Sequence, residues 1–134
     1  EYDLLFDKDL CGTCMACIDA CPTQALTEYQ LDSRSCISYL SVEKRGEFSE
    51  EDKELHGWIY GCDICQEVCP WNVKFAKISS EKSFEPRNEI KNYSNFEWNN
   101  LNKSEYQSIF KNSAAKRTKY KGLRRNINRN NKKS

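Results

Sequence analysis

The chain lacks the material for a membrane span or a large core. No apolar run approaches the roughly 18 residues that a membrane-crossing helix needs. The amino end begins at Glu1 rather than methionine and shows no basic, apolar and small-residue succession of a signal peptide. The expected setting is therefore the cytoplasm with no membrane contact, for a whole protein or a piece of a longer one. Apolar residues make up 38% and charged residues 31% of the 134. A unit below about 70–80 residues with so thin an apolar supply usually needs a covalent or metal staple. Histidine occurs once, at His56. At the end of an expected short helix it reads as a solvated residue favoured by the helix dipole, not as a ligand.

Acid is missing from one end altogether. Residues 1–105 carry 11 Lys/Arg against all 20 Asp/Glu, a balance of −9, whereas residues 106–134 carry 10 Lys/Arg and no acid, a balance of +10. The split suggests an acidic folded body and a basic arm aimed at a polyanion.

Cysteine is what the chain has in excess, with eight. Seven fall into two groups that each end in Cys-Pro. Cys11-Gly-Thr-Cys14-Met-Ala-Cys17-Ile-Asp-Ala-Cys21-Pro22 is a C-x2-C-x2-C-x3-C-P run; Cys62-Asp-Ile-Cys65-Gln-Glu-Val-Cys69-Pro70 is the same run without its leading cysteine. Cys36 stands alone between them. Two-residue gaps let thiolates from one tight loop converge on one face of an iron–sulfur cube. The cysteine before proline lies too far round to join them and, in the bacterial two-cluster arrangement, ligates the other cluster. This assigns Cys11, Cys14, Cys17 and Cys69 to a first [4Fe–4S] cluster and Cys21, Cys36, Cys62 and Cys65 to a second. Four disulfides are disfavoured without a secretory context. Zinc takes four ligands, commonly in two C-x2-C knuckles, and the first run overfills such a site. Clusters kept only for structure are the more serious competitor.

The remaining segments give an organisation. Ala25-Leu26-Thr27-Glu28-Tyr29 followed by Leu31-Asp32 reads as a strand, a turn and a return strand. Cys36 to Val42 suits a strand or a buried helical turn. Ser49-Glu50-Glu51-Asp52 resembles an N-cap opening a short helix to about Leu55, with Gly57 closing it. Residues 76–98 read as a polar linker with Phe84, Tyr93, Phe96 and Trp98 as docking anchors. Asn102-Lys-Ser-Glu105 is a capping-box start, with Tyr106, Ile109 and Phe110 at helical spacing. A second short helix is expected from Ala114, and Leu123 and Ile127 form a further apolar stripe. The expected fold is α+β: a bacterial two-[4Fe–4S] ferredoxin-like domain (residues 1–75) with a helical insertion, the linker, and a basic α-helical C-terminal arm (residues 99–134). Clustered Lys/Arg in the arm favour phosphate backbones through counterion release; Tyr120 in their midst suits stacking on a base or simple packing.

The ensemble resembles the C-terminal part of the epoxyqueuosine reductase family. The likeness is carried by Cys11-Gly-Thr-Cys14, Cys17-Ile-Asp-Ala-Cys21-Pro-Thr-Gln-Ala25, Cys36-Ile-Ser-Tyr-Leu40 and Ile59-Tyr-Gly-Cys62-Asp-Ile-Cys65-Gln-Glu-Val-Cys69-Pro-Trp-Asn72, and later by Phe110-Lys-Asn-Ser-Ala-Ala-Lys-Arg117 and Lys121-Gly-Leu-Arg-Arg-Asn126. The resemblance implies an oxidoreductase that converts epoxyqueuosine to queuosine in tRNA, with single electrons passing through two clusters to cobalamin. It implies as partners tRNA, a cobalamin-binding N-terminal domain and a reduced donor protein. By it, Ser35, Ser38 and Asp63 become candidates for a cobalamin edge, and Lys116, Arg117, Lys119, Arg124 and Arg125 for tRNA contacts. The sequence departs from the family in two ways: its larger N-terminal domain, with the catalytic acid, has no counterpart here, and the residues after Asn126 are polar where an apolar helix is usual. No catalytic residue is therefore expected in this chain. The competing readings are a free two-cluster ferredoxin-type carrier and an RNA-binding module with structural clusters.

Overall fold

The computed structural model describes residues 9–132; the outer ends of the first and last expected units, residues 1–8 and 133–134, lie outside the described residues. Each cysteine run folds as a loop, one helical turn and an extended Cys-Pro exit. Helix α1 is Ala16–Ala20 and α2 is Ile64–Glu67. Cys21 and Cys69 both leave in the extended region (ψ 110° and 119°), where the following proline ring forces the preceding residue. Pro70 then sits in the first turn of α3 (Pro70–Phe75), where its missing N–H costs nothing. Gly12 takes φ +51° in the tight turn between Cys11 and Cys14, a conformation that a Cβ would strain. The two related loops lie together, with α1 packed on α2.

The expected hairpin is present. β1 (Leu26–Thr27) pairs antiparallel with β2 (Gln30–Leu31) in the register Leu26↔Leu31 and Thr27↔Gln30. Tyr29 turns the corner at φ +55°, and its hydroxyl donates to Asp9 Oδ2 at 2.7 Å. Apart from this small sheet, the regular structure of the described residues is helical.

The insertion after Cys36 resolves towards a helical turn. Tyr39–Glu43 is a π-helical turn, and Ile37, Leu40 and Leu55 are buried with Phe48, Trp58 and Cys62 packed on them. The wider winding has a visible cause. The carbonyls of Leu40, Ser41 and Val42 accept from Arg125, Thr118 and Asn126 of the distant arm, so they are drawn out of the ordinary ladder.

The helix expected at Ser49–Leu55 does not form. Asp52 Oδ2 accepts from the Ser49 amide at 2.6 Å and its hydroxyl at 3.0 Å, while Oδ1 pairs with Lys44 at 3.0 Å. That contact is half of a capping box, but no helical ladder follows it: the Asp52 carbonyl accepts from Arg129, and Leu55 is buried with Ile37 and Leu40. His56 consequently sits in an exposed turn at φ +48°, not on a helix end.

Residues 76–98 contain short helical pieces: a 3-10 turn at Lys82–Phe84, α4 (Asn88–Lys91), and the start of α5 (Asn95–Asn100), which carries the capping box Ser94/Glu97. Of the four anchors, Tyr93 and Trp98 do dock, edge to face with centroids 5.0 Å apart. Phe84 and Phe96 do not: both remain about three-quarters exposed. Helix α6 (Lys103–Ile109) opens with the expected Asn102/Glu105 box. A 3-10 turn at Ala114–Thr118 leads into α7 (Lys119–Asn131). Leu101, Tyr106, Ile109, Phe110, Leu123 and Ile127 form the larger core. Burying each large apolar side chain stabilises by roughly 1.5–3 kcal/mol. Gly122 does not interrupt α7.

Helix α7 also faces the insertion. Arg125, 8% exposed, donates to the carbonyls of Leu40, Lys44 and Gly46 and lies 4.2 Å from the Phe48 ring centroid. Asn126 is fully buried and donates to the carbonyls of Ser41 and Ile59. The basic segment is therefore clamped to the body rather than hanging from it.

Candidate metal centre

All eight cysteines are free thiols. Cys11, Cys14 and Cys17 line a cavity of about 340 Å³ walled by Ile18 and the hairpin. Cys21, Cys36, Cys62 and Cys65 line a second cavity of about 340 Å³, with Thr23, Ile37, Ser38 and Gln66. Leu26 and Leu31 border both cavities, so the hairpin is their common wall. Cys69 belongs with the first group: partial desolvation raises the Cys11 thiol above its usual pKa, the Asp9 carboxylate adds to this, and so do Cys17, Cys69 and Cys14. Burial likewise raises Cys62 against the pull of the Ile64 amide, with Cys36, Cys65 and Cys21 adding to it. The structure thus gathers the cysteines four and four. Each loop's Cys-Pro cysteine stands in the other loop's group.

The two groups differ in what surrounds the sulfur. Burial by itself would raise Cys21, yet the Thr23 hydroxyl and the amides of Ala25, Thr23 and Leu26 donate to its sulfur and bring it below the usual value. Ala25 N–H lies 3.3 Å and the Thr23 hydroxyl 3.6 Å from Cys21 Sγ. Gln66 Nε2 lies 3.8 Å from Cys65 Sγ, and Asn72 Nδ2 donates to Gln66 Oε1 and O at 3.1 and 2.9 Å. Around the first group, the prominent polar side chain is Asp9, whose Oδ1 accepts from the Cys11 amide at 2.9 Å. The Tyr29 hydroxyl, and then the Cys11 amide, hold Asp9 below the ordinary carboxylate range. Sequence reasoning missed Asp9, Thr23, Gln66 and Asn72; their only signal was position, two residues or fewer from a ligand or within the Cys-Pro-Trp-Asn string.

This donor set fits a pair of clusters. Thiolates are the ligands that iron–sulfur clusters take, and each group of four has apolar walls. Among the described residues no three His, Cys, Asp or Glu converge tightly enough for a single ion. A cube spans a wider space than one ion does.

The cobalamin-edge candidates do not converge. Ser38 lines the second cysteine cavity, Ser35 lines a separate groove with Asp32, Arg34 and Asp52, and Asp63 is exposed ahead of α2. These residues alone do not make a corrinoid cradle. The basic candidates divide as well. Lys116, Arg117 and Lys119 are exposed, Arg117 being paired with Glu43. Arg124 is half-buried and donates to the carbonyls of Trp98 and Asn99. Arg125 is removed from the list of nucleic-acid contacts, because its guanidinium is spent on buried carbonyls. Tyr120 packs on Tyr106 and donates to the Leu101 carbonyl. Among the described residues no helix is long and apolar enough to cross a membrane.

Comparison with known proteins agrees with this chemistry. Residues 10–72 match the family described as a 4Fe-4S double cluster binding domain. An epoxyqueuosine reductase of Leadbetterella byssophila is 47% identical over 121 residues, which are 90% of this chain and 39% of that protein. One of Cellulophaga algicola is 44% identical over 132 residues, covering 95% and 43%. A solved epoxyqueuosine reductase with an epoxyqueuosine-modified tRNA-Tyr stem loop superposes with TM-score 0.79 at 32% identity, over 95% of this chain and 34% of its own. That of Bacillus subtilis gives 0.80 at 33%, with the same coverage. The chain thus spans about two fifths of the curated relatives it matches. It is similar to part of the epoxyqueuosine reductases, which are much longer than it is, and its residues 10–72 match a 4Fe-4S double cluster binding domain.

Proposed function

We propose that this chain is the electron-delivering part of an epoxyqueuosine reductase acting on tRNA, with a ferredoxin-like pair of [4Fe–4S] clusters at its centre. The observation that carries the reading is the crossed grouping of eight free thiols, seven lining two cavities that share one wall and Cys69 near Cys11. Bound clusters supply one-electron transfer at a potential set by charge, hydrogen bonds and exposure. The chain's own residues hold them. Cys11, Cys14, Cys17 and Cys69 ligate the first, and Cys21, Cys36, Cys62 and Cys65 the second. Leu26 and Leu31 line both cavities and would stand between the two clusters. Exposure of Cys11 and Cys14 makes the first cluster the place where a reduced donor protein delivers its electron. The cobalamin that the family resemblance implies is held chiefly by the remainder of the reductase, since Ser35, Ser38 and Asp63 do not converge on one site.

Lys116 and Lys119, with Arg117, form the exposed basic ridge that meets tRNA phosphates. Contacts of this type position the nucleic acid and carry no sequence information. A solved relative with a tRNA stem loop supports this reading.

The test is reconstitution. Anaerobically prepared chain binds about eight irons, and replacing Cys21 and Cys69 together with serine removes most of them. Mixed with the remainder of a reductase and cobalamin, the iron-loaded chain supports reduction of epoxyqueuosine in a tRNA stem loop, and changing Lys116 and Lys119 to Glu weakens stem-loop binding several-fold. Far fewer irons, or irons retained without Cys21 and Cys69, overturns the cluster reading. Full iron without stem-loop affinity or epoxide reduction leaves a free carrier instead.

A further inference from the structure

The two groups of thiols sit in opposite electrostatic surroundings. Added electrons make a cluster and its sulfur ligands more negative, so N–H and O–H donors aimed at the sulfur favour the reduced state, and a nearby carboxylate disfavours it. The donors to the second group's sulfurs include the Ala25 amide and the Thr23 hydroxyl on Cys21, and the Gln66 side-chain amide on Cys65. Gln66 is not free to flip. Asn72 donates to its Oε1, which leaves the NH2 end turned towards Cys65. Thr23 is buried at 7% exposure, so its hydroxyl meets little competition from water. Among the described residues no such donor reaches the sulfurs of Cys11, Cys14, Cys17 or Cys69. Beside Cys11 stands the Asp9 carboxyl group, which accepts from the Cys11 amide and from the Tyr29 hydroxyl.

From this asymmetry we infer that Thr23 and the Asn72-held Gln66 make the second cluster the stronger electron acceptor, while Asp9 makes the first the stronger donor, so that electrons run from the Cys11 group to the Cys21 group. The inference rests on the cluster reading above. In the step, one electron leaves the reduced first cluster, which is oxidised, and enters the oxidised second, which is reduced. No bond is made or broken and no proton moves. The electron is replaced by a one-electron reductant, a reduced donor protein or dithionite. Exposure works the other way, because water near Cys11 and Cys14 also stabilises negative charge. The fixed donors outweigh it: they act at the sulfur atoms themselves, and the exposure difference is confined to two of the eight thiols. Thr23, Gln66, Asn72 and Asp9 are positioning and tuning residues; none touches substrate.

The experiment is a redox titration of the full iron-loaded chain followed by electron paramagnetic resonance, after an iron count has established two clusters. Replacing Gln66 with Leu is the safer change, since Gln66 is exposed; Thr23→Val removes the hydroxyl and keeps the shape. Each lowers the reduced-to-oxidised ratio of the same cluster at a fixed potential by roughly three- to tenfold, the scale of an ordinary net hydrogen bond. Asn72→Leu has a smaller effect in the same direction on that cluster. Asp9→Asn raises the ratio of the other cluster. In the unmodified chain, the cluster that responds to Gln66 and Thr23 is the one reduced first. The inference is overturned if Gln66→Leu leaves both midpoints in place, or if the cluster it shifts is the harder one to reduce. An iron count well short of two clusters overturns the underlying reading instead.

Discussion

The cysteine loops and the helical arm are held together by different physics. Among residues 9–36 only Thr23 and Ala25 are buried, and between residues 62 and 100 none is. The arm, in contrast, has a continuous core in which Tyr106 packs on Phe110 and Tyr120 with centroids 5.1 and 5.6 Å apart. Apolar burial supports the second region and cannot account for the first. The loops hold their shape through ligation, which adds binding free energy to folding as structural metals do.

Removing iron is therefore the strongest way to break this comparison. Chelation under reducing conditions strips amide-exchange protection from residues 11–35 and 62–75, while α6 and α7 keep most of theirs. The insertion (residues 37–61) stays with the arm, because Arg125 and Asn126 bind it. Simultaneous loss of protection in both regions would show one cooperative unit, and the contrast would fail.

The clamp between insertion and arm gives the next effect. Changing Arg125 to Ala strands the carbonyls of Leu40, Lys44 and Gly46 and destabilises by about 3 kcal/mol, the scale of a broken buried network. Arg125→Lys recovers little, since an ammonium cannot reproduce a planar fork over Phe48. Changing Asn126 to Ala removes the bonds to Ser41 and Ile59 and costs about 2 kcal/mol. Lys116→Ala, on the exposed ridge, stays within about 0.5 kcal/mol. Urea melts of the iron-loaded chain check all four. Equal costs at Arg125 and Lys116 would mean that the arm does not depend on the clamp.

What the sequence disclosed divides along the same line. Cysteine spacing announces the metal chemistry because few ligand sets tolerate such crowding, and the alternation around Leu26 and Leu31 shows the hairpin. Capping boxes and apolar spacing reveal α6 and the buried face of α7. The clamp was not legible. Arg125 reads as one more charge in a basic run, and only the fold brings the carbonyls of Leu40, Lys44 and Gly46 in the insertion to it across some eighty residues of chain. The absent helix at Ser49 failed for a long-range reason. Its acids look like first-turn residues and Asp52 does turn back onto the Ser49 amide, but the Asp52 carbonyl is taken by Arg129 and Leu55 is drawn into the core of the insertion. Phe84 and Phe96 misled because aromatic identity says nothing of direction.

That same Asp52 supplies the smallest effect. Burial pushes its carboxyl up, but the Ser49 amide, Lys44 and the Ser49 hydroxyl pull harder, and the net pKa is lowered. A carboxylate whose folded pKa is depressed contributes stability above its unfolded value, near 4, and loses it as pH falls through the folded value. The pair Lys44–Asp52 is half-sheltered, so its contribution is about 1 kcal/mol or less. Between roughly pH 5 and pH 3, the unmodified chain should therefore lose slightly more stability than Asp52→Asn. The difference should survive moderate salt better than that of the exposed Asp32–Arg34 pair. Parallel pH profiles for the two chains would show that the turn at Ser49 is held by packing around Leu55 alone, and the insertion would then resemble the arm in its energetics more closely than the ion pair suggests.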